Sequence, residues 1–265
     1  MQDSRLIDTH AHLLDPAFDA DRADALARAQ TAGVGLVVEI ADSPETWEPV
    51  LALARSRGLR CALGLHPYSA DRYEPSLAGR LLRCAEDPVV VAAGEIGLDY
   101  AKCPHPRDLQ KAAFLGMLEA ADAAALPVVV HSRDAFPDTL DILEAFYRDR
   151  PARGRLRGVL HCFSGGRTEA LRGAALGFAL GVDGPVTYPK NEPLRDAFRA
   201  VGLAALVLET DCPYLPPQSS RGRRNEPAFL PEIARGLAAA LATTEAAVAE
   251  ATNANARELF RLGRP

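Results

Sequence analysis

Two histidines one residue apart, His10 and His12, close the stretch LIDTHAHL near the start of a 265-residue chain. On an extended strand, whose side chains alternate with a period of two, both imidazoles point the same way and Ala11 points the other. Further along, His66, Glu95, His131, His161 and Asp211 each stand in or just after a short apolar run. Imidazole nitrogen with carboxylate oxygen suits Zn, Mn or Fe, and a set richer in carboxylate and water also accepts Mg, so the residue types leave the metal open. His10, His12, His131, His161, Glu95 and Asp211 exceed what one tetrahedral ion needs. Two divalent ions sharing a carboxylate would account for all six.

These residues must be brought together by the elements that carry them. Eight apolar, β-rich segments run through the chain: RLIDTHAH, VGLVVEIA, RCALGLHP, VVVAAGEIGLD, PVVVHSRD, RGVLHCFSG, GFALGVDGPV and ALVLETDCPYL. Between them lie stretches such as DADRADALARAQTAG, SPETWEPVLALARSRG and HPRDLQKAAFLGMLEAADAAAL, with Asp or Ser near their starts and Gly near several ends, as helices prefer. Strand-helix repetition predicts a parallel sheet, and near-continuous apolar strands predict burial on both faces. Eight units in about 210 residues fit an α/β fold of the (β/α)8 TIM barrel type better than an open doubly wound sheet. The expectation is a single domain over residues 1–265, with TTEAAVAEATNANARELFRL as extra C-terminal helical turns closing the bottom or side. His10 and His12 then end strand one, His66 strand three, Glu95 strand four, His131 strand five, His161 strand six and Asp211 strand eight, at the mouth where such barrels place their chemistry. Only His105 of the six histidines lies elsewhere, a distribution that random scatter would rarely produce.

Composition sets outer bounds. A chain with 48% hydrophobic and 25% charged residues can bury a large core. Apolar runs such as residues 174–182 are too short to span a bilayer, and MQDSRLID lacks a basic region followed by an apolar stretch, so a cytoplasmic protein without a membrane partner is expected. Five scattered cysteines with no C-x-x-C pair argue against a disulfide framework or a thiolate zinc site. The net charge of −5 gives no global pull towards nucleic acid, which would need a local basic patch. One candidate is CPYLPPQSSRGRRNEP, a loop after strand eight whose Arg221, Arg223 and Arg224 sit where barrels commonly hold phosphate. Read singly, Asp8 and Asp99 are caps, and Cys162 and Cys212 are filler side chains pointing away from the mouth.

The segments DTHAHL, GLHP, GEIGLDY, PVVVHSRDA, LHCFSG, ETDCPYLPP and RRNEP, in this order along nearly the whole chain, resemble the TatD family of metal-dependent deoxyribonucleases within the amidohydrolase-like barrels. H-x-H alone is shared with other metallohydrolase barrels; GEIGLD, HCFSG and ETD.PYL together are specific. Cys212 departs from the Ser of many relatives. The resemblance implies that His10, His12, Glu95 and Asp211 hold one divalent ion (Mg, Mn or Zn), that Glu95, His131 and His161 hold a second, and that Glu95 bridges. It also implies that His66 and Arg133 contact the scissile phosphate; Asp211, both a ligand and close to the attacking water, would serve as its base. The activity so implied is 3′-to-5′ trimming of DNA, as single strands or at 3′ ends, with no obligatory protein partner. Two rivals stand beside it: the same site acting on a small amide, ester or lactone or on an aminoacyl-tRNA ester, and a barrel that binds without turnover. The complete ligand set speaks against the last.

Overall fold

The computed structural model describes residues 5–263. The reading of the first residues as free of a leader rests partly on residues 1–4, which lie outside the described residues. Eight strands form one sheet in sequence order: β1 (Leu6–Ala11), β2 (Val34–Ala41), β3 (Arg60–Leu65), β4 (Val90–Asp99), β5 (Val128–Arg133), β6 (Gly158–Leu160), β7 (Phe178–Val182) and β8 (Leu206–Leu208). Each consecutive pair is parallel. An Ala11–Cys212 bridge carries β1 against the segment after β8, so the sheet closes as a TIM barrel. Around it lie α1 (Arg22–Thr31), α2 (Trp47–Arg57), α3 (Ser76–Cys84), α4 (Arg107–Ala123), α5 (Phe136–Tyr147), α6 (Arg167–Ala175), α7 (Glu192–Val201) and α8 (Leu230–Ala240). The start and stop signals in the sequence act as expected: Ser43 caps the turn that leads into α2, and Gly58 ends α2 in the left-handed region at φ 69°.

Two apolar layers result. Outward side chains pack under the helices, while inward ones, among them Val38, Ala62, Ala92, Val129, Val159, Ala179 and Val207, fill the barrel. The tail forms α9 (Glu245–Leu259), whose Ala256 and Leu259, with the following Phe260, join the inner layer, so the helix plugs the bottom rather than the side. Asn253 of α9 accepts from Ile7 N at 3.1 Å and donates to the Arg5 carbonyl at 2.9 Å, satisfying backbone groups at the foot of β1.

The same inward rows deliver the polar mouth. Stepping by two from the inner layer, Val129 leads to His131, Val159 to His161, Ala62 through Gly64 to His66, and Val207 through Glu209 to Asp211. Strand β4 breaks the rule. Gly94 (φ 156°) and Gly97 (φ 143°) bracket Glu95, and the β4–β5 register shifts between Ala93 and Ile96. That bulge re-aims Glu95, and only glycine tolerates its backbone: a Cβ on Gly97 would lie 2.0 Å from the His131 carbonyl oxygen. Glu95 therefore sits inside β4 rather than at its end.

Candidate metal centre

Strand β1 and the segment after β8 are stitched together over a long sequence separation. Asp8 accepts from Thr210 N at 2.9 Å and from its Oγ1 at 2.7 Å, Asp211 N donates to the His10 carbonyl at 3.0 Å, and His12 N donates to the Cys212 carbonyl at 2.8 Å. Asp8 is thus no simple cap. It locks Asp211 beside the H-x-H pair, whose two Nε2 atoms meet 3.1 Å apart even though the β1–β2 register shifts between Asp8 and Ala11. His10 Nε2 is 3.4 Å from Glu95 Oε2 and 3.8 Å from Asp211 Oδ1; His12 Nε2 is 3.9 and 3.6 Å from the same two atoms. Ligand atoms about 2.1 Å from a common ion lie about 3.4 Å apart when tetrahedral. These spacings fit a cation held by both imidazoles and both carboxylates.

The other oxygen of Glu95 serves a second group. Oε1 is 2.7 Å from His131 Nδ1, 3.5 Å from His161 Nε2 and 3.7 Å from His66 Nε2. The far nitrogens are steered by carboxylates that single-residue reading missed. His131 Nε2 meets Asp99 Oδ2 at 3.2 Å, and His161 Nδ1 lies 3.0 Å from Glu209 Oε1, out of line for a hydrogen bond. Carboxylates behind imidazoles fix the orientation of ligating histidines and raise their basicity. Asp99 also takes Ala101 N and Lys102 N at 3.0 and 2.8 Å and the Tyr68 hydroxyl at 3.2 Å, so it anchors a whole wall rather than capping a turn. Glu39, likewise buried, receives Leu13 N and Leu14 N, both at 2.8 Å, and fixes the loop leaving His12. Glu209 stands two residues before Asp211, the spacing of His10 and His12, a signal that the sequence carried.

His66 differs from the other four imidazoles. Its Nδ1 accepts from Tyr68 N at 3.2 Å, and burial pushes its pKa down to about 3, so the neutral ring carries its proton on Nε2, facing the cluster as a donor. Elsewhere the charges are complementary. Burial opposes charge on every member, yet Asp211 and Glu95 raise His12 to about 9, while Glu209, Glu95 and Asp211 raise His161 to about 10. Glu95 and Asp211 are held below the usual carboxylate range by the histidines around them, again against burial. His10 is lowered by burial and by His161, which stacks on it at 3.5 Å between ring centroids, and its Nδ1 is buried with no hydrogen-bond partner among the described residues. Two carboxylates ringed by imidazoles at these distances have the donor chemistry of a cation site.

The cluster floors a cavity of about 950 Å³, whose walls include Lys102, Arg133, Tyr68, Tyr188 and Tyr214. Arg133 Nη1 is 3.4 Å from Asp99 Oδ2 and remains partly exposed. Of the three loop arginines, Arg221 stacks on Tyr188, a wall residue, with its Cζ 4.6 Å from the ring centroid, while Arg223 lies over Phe229. Arg224 corrects the expectation of a phosphate contact. Its guanidinium is taken up by Asp21 at 2.6 and 2.9 Å, Glu226 at 3.2 Å and the Ala17 carbonyl, above the Phe18 ring. The RRNEP segment is a clasp: Asn225 donates to the carbonyls of Thr210 and Tyr214, and Glu226 pairs with Arg28. Cys162 is a second correction, since its sulfur lies within 4.8 Å of a ring nitrogen of His161 and a carboxylate oxygen of Asp211 rather than turned away.

A parallel eight-stranded barrel with this His/carboxylate floor defines the class of metal-dependent hydrolase barrels. The chain belongs to the TatD related DNase family, whose profile matches residues 7–261. It is 32% identical over 97% of its length to the uncharacterized metal-dependent hydrolase YabD of Bacillus subtilis, covering 99% of that protein. It is 33% identical to the 3′-5′ ssDNA/RNA exonuclease TatD of Klebsiella pneumoniae, with 96% of this chain and 97% of that one covered. The crystal structure of YjjV, a TatD homolog from Escherichia coli, superposes with a TM-score of 0.90 at 33% identity, covering 99% of this chain and all of that one.

Proposed function

We propose that the chain hydrolyses phosphodiesters of single-stranded DNA from the 3′ end, and that residues 1–265 work as one barrel around two divalent cations. The observation that carries this reading is the division of Glu95, with Oε2 towards His10 and His12 and Oε1 towards His131 and His161. His10, His12, Glu95 and Asp211 would hold one cation and Glu95, His131 and His161 the other, drawn from Mg, Mn and Zn. When bound, the pair supplies an acidified water and positive charge for the phosphoryl oxygens and the leaving alkoxide. Asp211, ionised despite its burial because His12, His161 and His10 surround it, accepts the proton of the attacking water. His66 donates from Nε2 to a phosphoryl oxygen, a role that suits a ring already protonated there better than metal ligation. Arg133, braced by Asp99, meets another oxygen, and Arg221 at the rim contacts a phosphate farther along the strand. Relatives named as 3′-5′ ssDNA/RNA exonucleases, 33–36% identical over almost the whole chain, support substrate class and direction. Five free cysteines suit a reducing compartment, and the reading puts the enzyme in the cytoplasm; no helix among the described residues is long and apolar enough to cross a membrane.

One observation favours a second reading: a cavity of about 950 Å³ is also large enough to enclose a small ester or lactone. The deciding experiment is elemental analysis of protein purified without chelator, followed by assay on 5′-labelled DNA and RNA oligonucleotides and on small esters, lactones and aminoacyl esters. A ladder shortening from the 3′ end is expected. Arg221→Ala should weaken oligonucleotide binding and reduce the salt slope by about 0.7, leaving a small phosphodiester unaffected. Fast turnover of a small ester with no cutting of any oligonucleotide would establish the second reading instead.

A further inference from the structure

Beside the cluster stands a group of side chains that this chemistry leaves idle. Cys162 follows His161 with a φ of 45°, a conformation rare for a residue with a side chain, and its thiol donates to Asp183 Oδ2 at 3.0 Å. Asp183 ends the inward row Ala179–Gly181 of β7, is 1% exposed, and has its other oxygen, Oδ1, buried with no hydrogen-bond partner among the described residues. A buried carboxylate oxygen without a partner is costly unless a ligand completes it. The Cys162 sulfur, a ring nitrogen of His161 and a carboxylate oxygen of Asp211 all lie within 4.8 Å of one another. The Cys162 sulfur thus stands between the Asp183 carboxylate on one side and His161 and Asp211 on the other.

We propose that Cys162, Asp183 and Asp211 form a further cation subsite beside the cluster, selective for a thiophilic divalent ion of the zinc or cadmium class. The inference rests on the reading of the cluster as a metal centre. Sulfur supplies the selectivity, because thiolate favours zinc or cadmium over magnesium, whereas the imidazole and carboxylate floor discriminates less. Binding replaces the thiol proton, which leaves to solvent, with the cation, and Asp183 Oδ1 gains the partner it lacks.

Cobalt(II) is the probe, because a sulfur–cobalt bond gives a near-ultraviolet charge-transfer band that imidazole and carboxylate ligands do not. Chelator-stripped protein is titrated with cobalt, with absorption and bound metal followed together, and the titration is repeated with Cys162→Ser and Asp183→Asn. The parent should take up one cation more than Cys162→Ser and show the band, which cadmium abolishes and magnesium does not. In Cys162→Ser the band should vanish, and in Asp183→Asn it should need about tenfold more cobalt, with the circular dichroism of both variants unchanged. Cobalt uptake without a sulfur band in the parent, a band that survives Cys162→Ser, or an Asp183→Asn titration identical to the parent overturns the subsite while leaving the metal centre standing. A parent that binds no cobalt overturns both.

Discussion

At the scale of single residues, Glu95 has the most demanding position, since its two oxygens face different sets of histidines and its carboxylate is buried. Glu95→Ala should abolish hydrolysis and lower metal content from about two ions towards one or none, because a bridging carboxylate serves both. Full turnover with undiminished metal would rule out the bridge. Asp211→Asn separates the base from the ligand: the amide oxygen still coordinates weakly but takes no proton, so kcat should fall by about 10²–10⁴ with the fold intact. A variant that keeps its kcat at saturating substrate would exclude Asp211 as the base. One arginine in a basic-looking loop cannot be assigned to solvent, substrate or protein from its neighbours in sequence, because Asp21, which holds Arg224, lies far away along the chain.

At the scale of elements, the site depends on departures from regular strand geometry as much as on the strands. The Gly94–Gly97 bulge of β4 turns Glu95 into the mouth, and β1 carries His10 and His12 to the same place across a register shift of its own. Gly97→Ala should therefore be severe: a side chain forced into that backbone region costs about 1–3 kcal/mol, and its Cβ would also overlap the His131 carbonyl. The expected result is a lowered Tm together with reduced metal affinity, measured by thermal melts with and without added cation. A variant matching the parent in both would mean that β4 can relax without moving Glu95 or His131. Near-continuous apolar strands such as β5, buried along almost its whole length, were readable from sequence as elements. The bulge was not, since GEIG fits a strand, a turn or a bulge equally well until neighbours fix the register.

For the molecule as a whole, the charges gathered at the mouth couple folding to pH and metal. His12 and His161 are raised to about 9 and about 10, so the metal-free folded protein retains protons there that the unfolded chain releases near pH 6.5. Their stabilisation is complete below about pH 6.5 and is lost as pH rises through 9 and 10. Asp8 and Glu39, pushed up to about 7 by burial, act in the same direction earlier, since the folded state binds more protons than the unfolded one between about pH 4 and 7. Denaturant titrations in chelator should show stability falling from neutral to alkaline pH, and added divalent cation should flatten that slope by holding the donors in their deprotonated forms. A chelated protein equally stable at pH 7 and pH 10 would contradict these assignments. Chelation alone should leave the helical circular dichroism unchanged, because the two apolar layers and the α9 plug do not depend on the mouth.

The alternation of apolar strands with capped helices was local information, and it determined the barrel; the period of two then told which residues of each strand would reach the mouth. Residue chemistry added that imidazoles and carboxylates gathered there would bind cations. What only the tertiary structure decided was every relation between distant segments. Asp8 holding Thr210 across 202 residues, Asp99 behind His131, Glu209 behind His161, Arg224 withdrawn into a clasp and Cys162 facing Asp183 all follow from closure of the barrel. Local pattern specifies direction along one strand, whereas the partner a polar group finds depends on register between strands, which is set by packing over the whole sheet.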